Sequence, residues 1–265
     1  MKIVCLKGGL GNQMFEYCRF RDLMESGHDE VYLFYDHRRL KQHNGLRLSD
    51  CFELELPSCP WGIKLVVWGL KICRAVGVLK RLYDDEKPEA VLIDDYSQHR
   101  RFIPNARRYF FFRQFLAELQ SGFVQMIRAV DYPVSVHVRR GDYLHPSNSS
   151  FGLCGVDYFQ QAIAYVRKKR PDARFFFFSD DMEWVRENLW MEDAVYVEHT
   201  ELLPDYVDLY LMTLCRGHII SNSTFSFWGA YLAVDGNGMK IYPRRWFRDP
   251  TWTSPPIFSD EWVGL

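Results

Sequence analysis

The sequence predicts an α/β fold built on parallel sheets, and three observations carry that reading. From Pro133 onward, short apolar runs alternate with helical stretches, the signature of a doubly wound sheet. The chain also opens with an apolar strand, Lys2-Ile3-Val4-Cys5-Leu6, followed by a glycine-rich turn and a helix. Finally, three apolar runs end in polar residues: Arg139-Arg140-Gly141-Asp142, Ser179-Asp180-Asp181 and Ser221-Asn222-Ser223-Thr224. In a parallel sheet the carboxyl ends of strands share one edge, where ligands bind.

Composition narrows the function classes. The 265 residues fit one large or two modest domains, and 48% apolar with 25% charged residues is an ordinary globular balance. A net charge of −1 gives no global attraction to nucleic acid or an anionic membrane, so anion binding has to be local. The seven cysteines form no disulfide framework and no CxxC metal spacing, which fits a reducing compartment. No signal-like stretch precedes the first strand and no apolar run reaches membrane-spanning length, so a cytoplasmic location is expected.

In order, the first strand (2–6) leads through Lys7-Gly8-Gly9-Leu10-Gly11-Asn12-Gln13 to a helix that Gly27 stops, then to a strand at 31–35. Gly9 and Gly11 begin a dinucleotide-like fingerprint, but Met14 stands where its third glycine belongs, which disfavours a Rossmann dehydrogenase. Residues 36–90 are the least legible. Within them 61–82 read as an amphipathic helix studded with Lys64, Lys71, Arg74, Lys80 and Arg81, with one face packed on the domain or lying on a membrane surface. A strand at 90–93 follows, then a long helix at 110–130. The domain boundary is expected within 105–132, dividing 1–120 from 121–265. Beyond it come strands at 134–138, 174–178, 194–197, 219–220 and 240–242, with helices at 157–170, 182–190, 205–215 and 225–234.

The polar strand ends describe a nucleoside diphosphate site. Guanidinium groups grip phosphate oxygens in pairs, hydroxyls and free N–H groups at a helix start complement an anion, and a carboxylate suits ribose hydroxyls or guanine N–H donors. Asp180-Asp181 fit two roles equally: ligand contacts, or a helix cap with a first-turn acid. The absence of any D-x-D spacing argues against a metal–pyrophosphate clamp.

GGLGNQMFEY at 8–17, HVRRGDY at 137–143, FFFFSDD at 175–181 and SNSTFSFWGAYL at 221–232 resemble, in this order, the bacterial α-1,2-fucosyltransferases. The resemblance implies a GT-B-like fold of two Rossmann-like domains facing a cleft, and inverting, metal-independent transfer from GDP-fucose to a β-galactoside acceptor. By it, Arg139 is the pyrophosphate ligand with His137 and Arg140 beside it. The 221–226 stretch (Ser221, Asn222, Ser223, Thr224, Ser226) forms a second phosphate-binding segment. Asp208 is the carboxylate for the guanine, and the turn of Gly9, Gly11, Asn12 and Gln13 faces the acceptor or the fucose; Asp180, at the end of its strand, stays a donor-site candidate from residue chemistry alone. Phe227 stands where many relatives carry tryptophan, and 144–150 lack the carboxylate that some related fucosyltransferases use, leaving Asp142 or His145 as the general base. With no anchor-like segment in the sequence, a cytoplasmic enzyme of cell-surface glycan synthesis is expected, peripheral at the inner face of a bacterial membrane, with an acceptor that could be lipid-linked. An α-1,6-fucosyltransferase, another GDP-sugar transferase and a non-catalytic GDP-sugar- or glycan-binding protein are the rival readings.

Overall fold

The computed structural model describes residues 1–41, 44–84, 87–119, 121–145, 150–198 and 203–265. Two compact units divide the chain, Met1–Arg113 and Gln114–Leu265. Among the described residues no helix is long and apolar enough to cross a membrane.

The first unit holds β1 (Lys2–Leu6), α1 (Leu10–Glu25), β2 (Val31–Tyr35), the one-turn helices α2 (His37–Leu40) and α3 (Leu48–Cys51), α4 (Trp61–Ala75) and β3 (Leu92–Ile93). Its sheet is parallel, in the order β2-β1-β3. Ile3, Cys5 and Leu92 bury one sheet face against Val67 and Leu70 of α4. Gly27 ends α1 at φ +80°, a left-handed conformation that costs a glycine nothing.

In the second unit, α5 (Gln114–Ala117) and α6 (Gly122–Arg128) precede β4 (Pro133–Val138), α7 (Val156–Lys169), β5 (Arg174–Ser179) and α8 (Met182–Asn188). Then follow β6 (Val195–Tyr196), α9 (Tyr206–Thr213), β7 (Gly217–Ile219), α10 (Thr224–Tyr231), β8 (Lys240–Tyr242) and β9 (Val263–Gly264). All pairings are parallel, in the order β6-β5-β4-β7-β8-β9. The chain builds outward from β4 on one side, then returns to build on the other, so β4 and β7 flank the switch in winding. Val134, Val136, Val138, Phe175 and Phe177 form one core with Phe159, Ala162 and Val166 of α7. The intervening Ser135 and His137 point to the opposite face, also buried.

Two expectations are corrected. The helix predicted over 110–130 is broken: Ser121 is extended (φ −78°, ψ 152°) and its hydroxyl accepts the Val124 N–H at 3.2 Å, starting α6 afresh. The strand β9 went unrecognised, because two residues carry too little periodicity to register.

Candidate active site

The carboxyl edge of the second sheet is assembled by strand register. Val138 lies opposite Ser179, so the loops after β4 and β5 leave the sheet side by side. Asp180 grips the loop after β4: its two oxygens accept the Arg140 and Gly141 backbone N–H groups at 2.8 and 3.1 Å. A Cβ on Gly141 would sit 2.8 Å from Asp180 Oδ2, so any larger residue would push the carboxylate aside. Arg139 spans two carboxylates, Nη2 to Asp142 Oδ1 at 2.9 Å and Nη1 to Asp180 Oδ2 at 3.1 Å. These neighbours hold its guanidinium firmly charged, against the cost of burial. Arg140 turns away, with Nε 3.0 Å from Asp181 Oδ2 and its guanidinium 3.9 Å from the centre of the Trp184 ring. Asp181 also caps α8 by accepting the Trp184 N–H at 3.2 Å. Of the two adjacent carboxylates, Asp181 therefore caps a helix and Asp180 holds the loop.

On the other side of β4, His137 Nδ1 lies 3.1 Å from Ser221 Oγ, beyond the end of β7. Burial, with Arg139 nearby, lowers the His137 pKa to about 3, so the imidazole is neutral at physiological pH and brings no charge to a phosphate. Ser223 starts α10, but its hydroxyl makes no capping bond; the Ser226 hydroxyl instead donates to the Ser223 carbonyl at 3.0 Å. Thr224 opens the helix, half-buried. Asn222 is fully buried, and its amide donates to the Gly152 and Trp246 carbonyls at 2.6 and 2.7 Å. The Asn222 backbone carbonyl accepts the Tyr143 hydroxyl at 2.9 Å, tying the loop after β7 to the loop after β4. Asp208 sits half-buried in the first turn of α9.

Next to Tyr143 and His145 a cavity of about 850 Å³ opens, bordered by Phe151, Gly152, Pro243, Arg245 and Arg248. Tyr143 stacks on Phe151 at 4.8 Å between ring centres, and behind them Phe151 packs on Phe247, and Phe247 on Trp252. Arg245 and Arg248 were missed by the sequence reading. The signal was available, since Pro243-Arg244-Arg245 repeats after β8 the arginine pair that follows β4. Of the 144–150 stretch that lacks a carboxylate, 146–149 lie outside the described residues.

The remaining predicted residues, Gly9, Gly11, Asn12 and Gln13, lie in the first unit. There Gly8 takes φ +69° and a Cβ would meet Asn12 Nδ2 at 2.7 Å. Gln13 is fully buried: its amide donates to the Gly8 and Gly45 carbonyls at 2.9 Å each, and its carbonyl accepts the Arg47 N–H at 3.1 Å. Asn12 accepts from Gln98 Nε2 at 2.9 Å. These bonds pin the turn to the loops at 44–47 and 94–98, with open space above Gly9.

A family model, glycosyl transferase family 11, matches residues 105–265. The O-antigen biosynthesis glycosyltransferase WbnK of Escherichia coli is 25% identical, over 98% of this chain and 99% of its own. An alpha-1,2-colitosyltransferase of Escherichia coli is 27% identical over 98% and 97%. The galactoside 2-alpha-L-fucosyltransferase SEC1 of Bos taurus is 34% identical over 50% of this chain and 38% of its own. Among solved structures, the NodZ alpha-1,6-fucosyltransferase co-crystallised with GDP superimposes with a TM-score of 0.55 at 16% identity, covering 88% of this chain and 92% of that one. At that identity the likeness speaks to fold alone.

Proposed function

Because the chain belongs to glycosyl transferase family 11, whose model spans most of it, we propose that it moves L-fucose from GDP-fucose to the O2 hydroxyl of a terminal β-galactoside, with inversion and without a metal ion. The full-length similarity to an O-antigen biosynthesis glycosyltransferase supports a cell-surface glycan as acceptor. The observation that carries the reading is Arg139, held charged between Asp142 and Asp180 at the switch of a parallel sheet, in a loop whose backbone Asp180 clamps.

Arg139 receives the diphosphate. Its bond to Asp142 joins residues three apart whose side chains are 32% and 44% exposed, a pairing worth about 0–1 kcal/mol. A diphosphate offering charge-assisted, bidentate contacts outcompetes it. Arg245 and Arg248 border the cavity and add positive charge, while Tyr143 and Phe151 offer a stacking wall for the base. The acceptor oxygen attacks the anomeric carbon opposite GDP as the bond to the β-phosphate oxygen breaks, its electron pair leaving with the diphosphate. Asp142, once released, or His145 takes the hydroxyl proton. His137 stays neutral and, through Ser221, aligns β4 with the segment that opens α10.

Incubation with GDP-fucose and lactose in EDTA, followed by mass and linkage analysis, tests the reaction. A product fucosylated at galactose O2 is expected. Arg139→Ala is expected to lose about 2.7–4 kcal/mol of transition-state stabilisation, a hundred- to thousand-fold in rate; near-normal turnover would sink the assignment. Transfer of a different sugar from a GDP donor is the second reading, favoured by the full-length similarity to an alpha-1,2-colitosyltransferase.

A further inference from the structure

Helix α4 has two apolar faces, and only one is covered. Val67 and Leu70 pack on the first sheet. On the opposite side Trp61, Leu65, Trp68, Ile72 and Val76 recur at intervals of four, three, four and four residues, which places them on one stripe. All five are exposed, Trp61 by 73% and Trp68 by 67%, and Val78 and Leu79 extend the stripe beyond the helix end. At 1.5 Å per residue, the helical part is about 22 Å long. Exposed apolar residues gathered on one stripe, two of them tryptophans, are what interaction surfaces are made of.

The charges say what covers it. No acidic residue occurs between Glu55 and Asp84, whereas Lys64, Lys71, Arg74, Lys80 and Arg81 all fall in that interval. Asp94 engages Lys71 and Arg74, at 3.9 and 3.4 Å. Lys64, Lys80 and Arg81 are exposed and make no ion pair among the described residues. A second copy docked by this face would bring like charges together, a steep penalty in a two-fold interface. An apolar stripe with tryptophans, flanked by cations, suits the headgroup region of an anionic bilayer, where indoles sit at the interface and lysines reach the phosphates.

We propose that α4 and the 76–81 turn dock this protein in the plane of an anionic phospholipid bilayer. Docking rests on no step of the transfer reaction, so its test is separate from the test of that reaction. The purified chain is mixed with vesicles of phosphatidylcholine plus phosphatidylglycerol, and with vesicles of phosphatidylcholine alone. Binding is read by co-flotation and by the blue shift of tryptophan emission. Retention on the anionic vesicles only, weakening as salt rises, is expected. The exposed substitutions Trp61→Ser/Trp68→Ser and Lys64→Gln/Lys80→Gln/Arg81→Gln should each weaken binding at least tenfold, with circular dichroism and melting unchanged. No retention, equal retention on both vesicles, or folded variants that bind like the parent chain would overturn the proposal. So would a dimer in vesicle-free solution that the tryptophan variant dissolves, since it would give the stripe to a second copy.

Discussion

Gly141→Ala tests the site's construction rather than its chemistry. The backbone at Gly141 (φ −38°, ψ −77°) is right-handed, at the edge of the region open to alanine, so no left-handed conformation stands in the way of the substitution. Its cost lies in space: the new methyl would stand 2.8 Å from Asp180 Oδ2 and 3.1 Å from Cγ. The carboxylate must move, and it then gives up the Arg140 and Gly141 N–H groups. Two hydrogen bonds to a charged acceptor, at about 1.5–3 kcal/mol each, set a ceiling of about 3–6 kcal/mol. The Asp180 side chain is 26% exposed, so water replaces part of the loss, leaving about 1–3 kcal/mol on the position of Arg139, roughly 5- to 150-fold in kcat/KM for GDP-fucose. Melting should fall by a few degrees, since the same two bonds tie the loop to the folded chain, while Gly141 itself lies outside the core. Asp180→Ala opens the space the methyl needs, so the double variant should be no worse than Asp180→Ala alone, a non-additivity that marks one shared clamp. Unchanged kcat/KM in Gly141→Ala, or additive losses, would refute the clamp.

Phe227 is fully buried and packs against Trp228, Tyr231, Phe258 and Trp262; Phe227→Ala should cost about 3–5 kcal/mol in chemical denaturation and leave the KM for GDP-fucose of the folded fraction unchanged. Stability should fall as pH drops from about 6.5 to 4.5. His137 and His218 stay neutral when folded, with pKa values lowered to about 3 by burial, while the unfolded chain protonates both. Glu16 opposes them, since burial raises its pKa well above the ordinary value and the folded state keeps its proton. Two histidines against one carboxyl leave a net loss of stability in that window; an equal or higher urea midpoint at pH ~5 than at pH ~6.5 would contradict this.

The legible parts of the fold were those where composition changes sharply at strand ends. Phe175 to Phe178 followed by Ser179-Asp180-Asp181 could only be a buried strand leaving a sheet, and β5 lies there. The 110–130 stretch misled because its apolar spacing suits a helix, and that pattern outweighed the Ser121-Gly122 punctuation that starts α6. At the site, Arg139 and Asp180 could be named from residue type, but the clamp could not, because it depends on the β4–β5 register. Gln13 and Asn222 show the limit of residue chemistry: both are polar and placed in motifs, and both spend their amides on neighbouring backbone.

The winding of the second sheet has a consequence for synthesis. β5 reaches one side of β4 soon after it leaves the ribosome, but β7 comes much later, and the His137–Ser221 contact closes a span of 84 residues. Until then the nascent chain carries β4 with one edge unpaired, an apolar template on which another chain can pair. Ser135 and His137 make one face of that template polar until His218 and Ser221 arrive to bond them. The polar side chains that align the finished site thus also guard the strand during the interval when it is most exposed to aggregation.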